Sequence, residues 1–248
     1  MSKRKILILA MSLCMVAILA VGGTLAYFTA EDTAVNVFTM GNVDIELVED
    51  YEQGTELAPG LKINKDVSVK NTGSKPAYVR LHLAFRKDMD DGDPSYAAVN
   101  NFLHWNWPSA STADGLWSVL PNYSTGNGYQ GNGAGKWNFY EETIGGIDYN
   151  VYVITYRSPL AAGATTPIFL DQIYLDTSVD CKKDEATGKF IYTDDKGNTV
   201  SLTAEEAQNL KILVAAEATQ TDTFENPYDA LNTAFGTPGG YDVNWTIE

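Results

Sequence analysis

The sequence predicts an all-β protein, an antiparallel sandwich of the jelly-roll kind with a few short helices and a long aromatic-rich insert. Short runs in which apolar and polar residues alternate recur along it, for example Val43/Ile45/Leu47, Val67/Val69 and Val79/Leu81/Leu83/Phe85, the period-2 signature of half-buried strands. Clusters of Pro, Gly, Asn and Asp separate them, and these residues supply turn conformations. Helix signals are confined to one turn in the insert and two short stretches in the C-terminal fifth of the chain. Many strands, regular turns and small helices are what a sandwich requires. The immunoglobulin arrangement of two cysteines around a tryptophan is absent, because the cysteines are Cys14 and Cys181 alone, which favours the jelly roll.

The N-terminus has a different purpose. Lys3-Arg4-Lys5 precedes Ile6 to Val21, apolar apart from Ser12, then Gly22-Gly23 and Thr24-Leu25-Ala26. A charged region, an apolar region and a small-x-small site form a secretory signal peptide. The apolar run is shorter than the ~20 residues of a membrane span, so no stable span is expected after cleavage. Cleavage is placed between Ala26 and Tyr27, with a signal peptidase as partner during export. The chain thus divides into a signal peptide (1–26), an extended N-terminal segment (27–40) and a sandwich domain (41–248) with an insert over about 88–146.

Charge and cysteine narrow the class further. The chain has 17 Lys and Arg against 32 Asp and Glu; without Lys3, Arg4 and Lys5 the balance is 14 against 32, or −18. Such a surface disfavours nucleic acid and anionic lipid, which need a basic patch. Only Cys181 survives cleavage, so no intramolecular disulfide forms. A secreted domain without disulfides must rely on its core, as bacterial surface proteins do.

In chain order, Tyr27 to Thr39 holds Phe28, Val35, Val37 and Phe38 among polar residues and is too short to fold alone. Strands are predicted at Val43–Leu47, Val67–Lys70 and Val79–Arg86, with turns at Leu57-Ala58-Pro59-Gly60 and Asn71-Thr72-Gly73-Ser74. The insert carries Trp105, Trp107, Trp117 and Trp137 and a Gly/Asn-rich run from Ser124 to Gly135; Asn100 to Trp107 reads as a helical turn. Ile147 to Tyr156 is apolar on both faces, the mark of a central strand. Strands over Pro167–Leu170 and Ile173–Leu175 follow. Phe190-Ile191-Tyr192 and Thr199-Val200-Ser201 flank Asp194-Asp195-Lys196-Gly197, a hairpin. Thr203 with Glu206 is a capping box, and Lys211 to Ala218 a strand. Asn226-Pro227 opens a helix that Gly236 ends. A last strand is expected over Tyr241–Ile247.

Catalytic patterns are few. A zincin needs two His at i and i+4 on a helix with a Glu between them, whereas His82 and His104 are the chain's two histidines. Two His assemble no convincing nucleophilic triad, and Cys181 sits among charges with no evident base. Gly131-Asn132-Gly133-Ala134-Gly135-Lys136 falls short of a phosphate loop, since Gln130 occupies the first Gly position and Trp137 the Ser/Thr position. Asp88, Asp90, Asp91 and Asp93 around Gly92 miss the calcium-loop register; a solvated acidic turn and weak Ca²⁺ binding are the two readings, and no other cofactor is expected. The aromatic insert either packs internally or stacks on a glycan.

Several of these stretches resemble the TasA/camelysin family of secreted Gram-positive proteins, whose signal peptide is handled by a dedicated SipW-type peptidase. The residues that carry the resemblance are Gly22 to Thr29, Phe38 to Leu47, Leu57-Ala58-Pro59-Gly60, Lys65 to Ser74, Ala77-Tyr78-Val79-Arg80-Leu81 and, near the C-terminus, Val214 to Gln220. The aromatic insert departs from TasA itself. The resemblance implies a jelly-roll domain, export, and extracellular fibres of the biofilm matrix in which the mature N-terminal segment pairs as a donor strand with the next subunit. Phe28, Val35, Val37 and Phe38 would be its anchors, entering alternate pockets of a sheet edge. The competing expectation makes this segment the domain's own first strand or a tail. The reading is a secreted, non-enzymatic fibre subunit or fibre accessory of the matrix or cell surface, with self-association or related subunits as partners. The alternatives are a camelysin-like surface metalloprotease and a monomeric cell-wall or glycan adhesion module. The last residues, Asn244 to Glu248, carry no LPxTG-type sorting motif, so covalent wall anchoring is disfavoured.

Overall fold

In the computed structural model of the chain, the described residues are 43–51, 57–90, 102–106, 108, 116–118, 139–208 and 210–245. They build two antiparallel sheets packed face to face, an all-β sandwich. The first sheet has the order β1 (Ile45–Tyr51), β2 (Ile63–Asn71), β8 (Leu170–Leu175), β4 (Leu103–Asn106). The second has the order β12 (Leu213–Gln220), β3 (Ala77–Arg86), β7 (Ile147–Tyr156), β5 (Trp117–Ser118), with β6 (Phe139–Ile144) also paired to β7. A third, small sheet of β9 (Asp180–Lys183), β10 (Phe190–Thr193) and β11 (Thr199–Leu202) lies between β8 and β12 in sequence. Two helices complete the described elements, α1 (Ala204–Gln208) and α2 (Pro227–Phe235). All of these elements fall in the unit Thr39–Glu248; the other unit, Met1–Phe38, lies outside the described residues.

Side-chain period decides which face goes in. Val67 and Val69 on β2, Val79, Leu81, Leu83 and Phe85 on β3, and Tyr152 and Ile154 on β7 meet between the sheets. The opposite face of β3 is also covered, so every residue of this strand is buried. There α2 brings Ala230 and Leu231 against Tyr78, and Trp245 packs over Ala84, Tyr149, Val151 and Leu213. β7 is likewise buried from Tyr149 to Thr155, as a strand apolar on both faces requires.

Turn chemistry follows the sequence. Gly60 takes φ 72°, and Leu61 N–H closes the turn onto the Ala58 carbonyl at 3.0 Å. Asn71 is fully buried. Its amide donates to the Lys75 and Leu160 carbonyls while its Oδ1 accepts from Gly73 N–H, so one side chain closes the Asn71–Ser74 turn. Gly145 and Gly146 both have positive φ between the paired Ile144 and Ile147, the two-residue turn that matches strand twist. Asp194 accepts from Lys196 N–H and Asn198 N–H inside the β10–β11 hairpin. The capping box of α1 is reciprocal: Glu206 N–H donates to Thr203 Oγ1 and Thr203 N–H to Glu206 Oε2. α2 starts at Asn226, whose Oδ1 accepts from Asp229 N–H, and ends at Gly236.

Two expectations are corrected. Of the helical turn expected over Asn100 to Trp107, the described residues Leu103–Asn106 are instead β4, pairing Trp105 with Ile173 of β8; Leu103 and Trp105 alternate with His104 and Asn106, and period 2 prevails. Tyr241 to Trp245 forms no strand, because Gly239 at φ 81° and the Gly240 N–H to Thr237 carbonyl bond turn the chain, which is then held by side chains. β9 was not anticipated; its four residues are all exposed, so no apolar alternation announces it, and pairing with β10 creates it.

Sheet pairing also sets up a repulsion. Asp50 lies directly across from Asp66, and burial, then the charges of Asp171 and Asp50, push the Asp66 carboxyl up from its ordinary value. Like charges facing across strands destabilise. A raised carboxyl pKa means that the unfolded chain loses this proton first, so stability falls as pH rises above about 4. Asp66→Asn is expected to raise Tm at pH 7, with a gain that shrinks towards pH 4, measured by calorimetry at both pH values.

Candidate functional site

The outer face of β3 carries a charged centre built by strand register. Glu217 of β12 lies directly across from Arg80, and Ala215 across from His82, so the carboxylate faces Arg80 and reaches His82 on the diagonal, the two cross-strand distances at which side chains interact. Arg80 Nε donates to Glu217 Oε2 at 2.8 Å, and Nη2 lies 2.7 Å from the same oxygen as an ion pair. His82 Nε2 lies 3.1 Å from the same oxygen. Tyr241 O–H donates to Glu217 at 2.7 Å and accepts from Arg80 Nη2 at 2.7 Å. Arg80 Nη1 donates to Asn232 of α2 at 2.9 Å. Arg80 is 1% and His82 0% exposed, so this ion pair sits in protein, where charge-assisted hydrogen bonds are strong and a lost partner is costly.

Burial pushes the His82 imidazole below its usual range; the Glu217 carboxylate opposes this and Arg80 reinforces it. For Glu217, burial works upward but is outweighed by His82, Arg80 and Tyr241, which hold the carboxyl well below the usual range. Rings close the site: Tyr140, Tyr241 and Trp245 each present an edge-to-face contact to His82, at centroid distances of 6.2, 6.5 and 6.4 Å.

The second histidine is elsewhere. His104 of β4 places Nε2 2.8 Å from Asp176 Oδ2 and stacks on Tyr174. Each imidazole thus already directs Nε2 at a carboxylate, and the two lie on strands of different sheets. Among the described residues no three His, Cys, Asp or Glu side chains converge in a metal-holding group, so the donor set described here does not fit a zincin centre. Asp88 is paired with Arg86 at 2.7 Å, and Asp90 turns inward to accept from Asn150 Nδ2 and Tyr152 O–H; Asp91 and Asp93 lie outside the described residues. Cys181 is a free, exposed thiol on β9.

Ala26, Tyr27, Phe28, Val35, Val37 and Phe38 all lie outside the described residues, as do Trp107 and Trp137. Trp105 and Trp117 are core side chains, 2% and 0% exposed. The charged centre itself was not singled out in the sequence. The available signal was Glu217, one acid in the small-residue run Val214-Ala215-Ala216-Glu217-Ala218, opposite a strand that alternates Arg80 and His82 with aliphatics. Both strands were among the stretches that carry the family resemblance, and the fold makes them neighbours.

Among the described residues no helix is long and apolar enough to cross a membrane. No curated protein matches the chain. Residues 2–91, which run through β1, β2 and β3, match the family described as camelysin metallo-endopeptidase, in agreement with the TasA/camelysin resemblance carried by the motifs.

Proposed function

We propose that the chain is exported by its 1–26 signal peptide and acts as a non-enzymatic structural subunit, or fibre accessory, of the extracellular matrix or cell surface. Segment 27–40 joins neighbouring subunits by strand addition, with Phe28, Val35, Val37 and Phe38 as anchors. The observation that carries this reading is the position of β1. It follows the segment directly, and among the described residues it is an edge strand paired with β2 alone. A sheet edge presents main-chain donors and acceptors to any strand that reaches it. An extended segment adjacent in sequence to such an edge can pair with the sheet edge of another subunit. The family match covers this same part of the chain.

The family's description as a metallo-endopeptidase keeps a protease as the second reading, although the two histidines are both engaged with carboxylates. One preparation tests both. Protein beginning at Tyr27 is expected to form filaments by electron microscopy, and deletion of residues 27–38 to abolish them while thermal unfolding stays cooperative. Full-length mature protein that remains monomeric at high concentration overturns the fibre reading; casein hydrolysis blocked by EDTA establishes the protease.

A further inference from the structure

We propose that the segment Gly236–Trp245 is a detachable strap over the outer face of the second sheet, fastened by the Arg80–Glu217–His82 centre and opened by acid while the sandwich beneath stays folded. The way the strap is held supports this. It makes no strand pairing in this face. Its fastenings include Tyr241 O–H on Glu217, Arg80 on the Tyr241 hydroxyl and the Gly236 carbonyl, Trp245 Nε1–H on Glu142 at 3.2 Å and the Trp245 ring over Ala84 and Val151. Tyr241 and Trp245 are only partly buried, and Val243 is its one buried apolar residue. A segment held by side chains, with no backbone ladder to a neighbouring strand, opens at lower free energy than the ladder under it. Its turn is pressed on β6, since a Cβ added to Gly239 would come within 3.0 Å of Tyr140 Cβ. The positive φ of Gly236 and Gly239 places the hinge residues at the strap's base.

The proton enters at His82. Its surroundings are Arg80 on its own strand, Glu217 on β12, Val153 opposite it on β7, Tyr140 and Glu142 on β6, and Tyr241 and Trp245 on the strap; α2 contributes the neutral Asn232, through Arg80. Asp242 of the strap is exposed. One buried carboxylate therefore serves one permanent cation at neutral pH. A second charge on His82, closed off by the rings of Tyr140, Tyr241 and Trp245, places two cations on that carboxylate without water. Lifting the strap removes two of the three rings and hydrates the imidazolium. The open form binds the proton more tightly than the closed form, so falling pH favours opening, by about fivefold from pH 6.5 to 5.5 for one imidazole of ordinary pKa.

Hydrogen exchange on the mature protein tests this. Protection factors, which divide out the intrinsic pH dependence of exchange, are expected to be far lower in 236–245 than in β3 and β7 and to fall there about fivefold between pH 6.5 and 5.5. The His82 ring resonances are expected to titrate only at lower pH, because the closed form withholds the proton. His82→Gln keeps an amide donor for Glu217 without a titrating group and is expected to remove the pH dependence; if it does not fold, the pH dependence of wild-type strap exchange still decides. Constant strap protection over this range, or strap protection as high as that of β3 and β7, overturns the proposal. Because no step depends on segment 27–40, filament formation and strap opening succeed or fail separately.

Discussion

Glu217→Ala is expected to destabilise the protein by about 3–5 kcal/mol, the cost of leaving a buried cation without its partner. For a chain of this size that is a fall in Tm of roughly 6–20 °C. Arg80 would keep Asn232 and the Tyr241 hydroxyl as acceptors, but both are neutral, and the guanidinium is 1% exposed. Calorimetry at pH 7 measures the loss. Removing both charges by Arg80→Met with Glu217→Leu is expected to cost less than Glu217→Ala alone, because the penalty comes from the orphaned charge rather than from the absence of the pair. The pH dependence follows the same centre. Glu217 is held below its ordinary value, so its contribution is present above about pH 4.5 and lost as pH falls below it. His82 is also held below its ordinary value, so stability drops as pH falls from about 6.5, where the unfolded chain takes up a proton that the native state refuses. Both slopes have the same sign. Wild type therefore weakens in two stages on acidification, and Glu217→Ala loses the lower one.

Trp105→Ala is expected to cost about 3–5 kcal/mol, the range for deleting a large buried aromatic side chain. The indole comes from β4 in the first sheet and stacks on Phe85 of β3 in the second, at 5.4 Å between centroids and 8° between planes. It also meets Tyr152 of β7 at 5.5 Å and Phe169 at 5.8 Å, while Trp117 adds Phe169 at 5.6 Å from the other side. One side chain thus ties the two sheets together through three rings, each pair stabilising beyond the area it buries. Urea unfolding is expected to show a lower midpoint with an unchanged m-value, and Trp105→Phe a smaller loss. A tryptophan presented to a glycan would give the opposite pattern, weak binding with intact stability. The aromatic insert therefore acts, at Trp105 and Trp117, as a part of the core.

How much of this was legible in the sequence depends on the range of the interaction. The alternation of Val79, Leu81, Leu83 and Phe85, the two-faced apolarity of Ile147–Tyr156, the Thr203/Glu206 capping box and the Asn226–Gly236 helix boundaries were all readable. Each rests on neighbours within a few residues, where spacing dictates geometry. The helical turn expected at Asn100–Trp107 failed because a four-residue strand at a sheet edge has too few residues to display its period. The strand expected at Tyr241–Ile247 failed over its described residues, 241–245, because Tyr241 and Trp245 fasten to Glu217 and Glu142 instead of forming a ladder.

From sequence alone came the all-β sandwich, its turn and cap residues, the acidic surface, the 1–26 leader reading and the family resemblance. Only the tertiary structure decided that Arg80, His82 and Glu217 are one charged centre, that Trp105 and Trp117 of the insert fill the core, and that the C-terminal segment crosses the sheet. The physical reason is separation along the chain. Arg80 and Glu217 are 137 residues apart, and nothing local to either announces the other. They meet because β3 and β12 pair in the one register that keeps Leu81 and Leu83 facing the core, which turns Arg80 and His82 to the opposite face beside the only carboxylate on the facing strand.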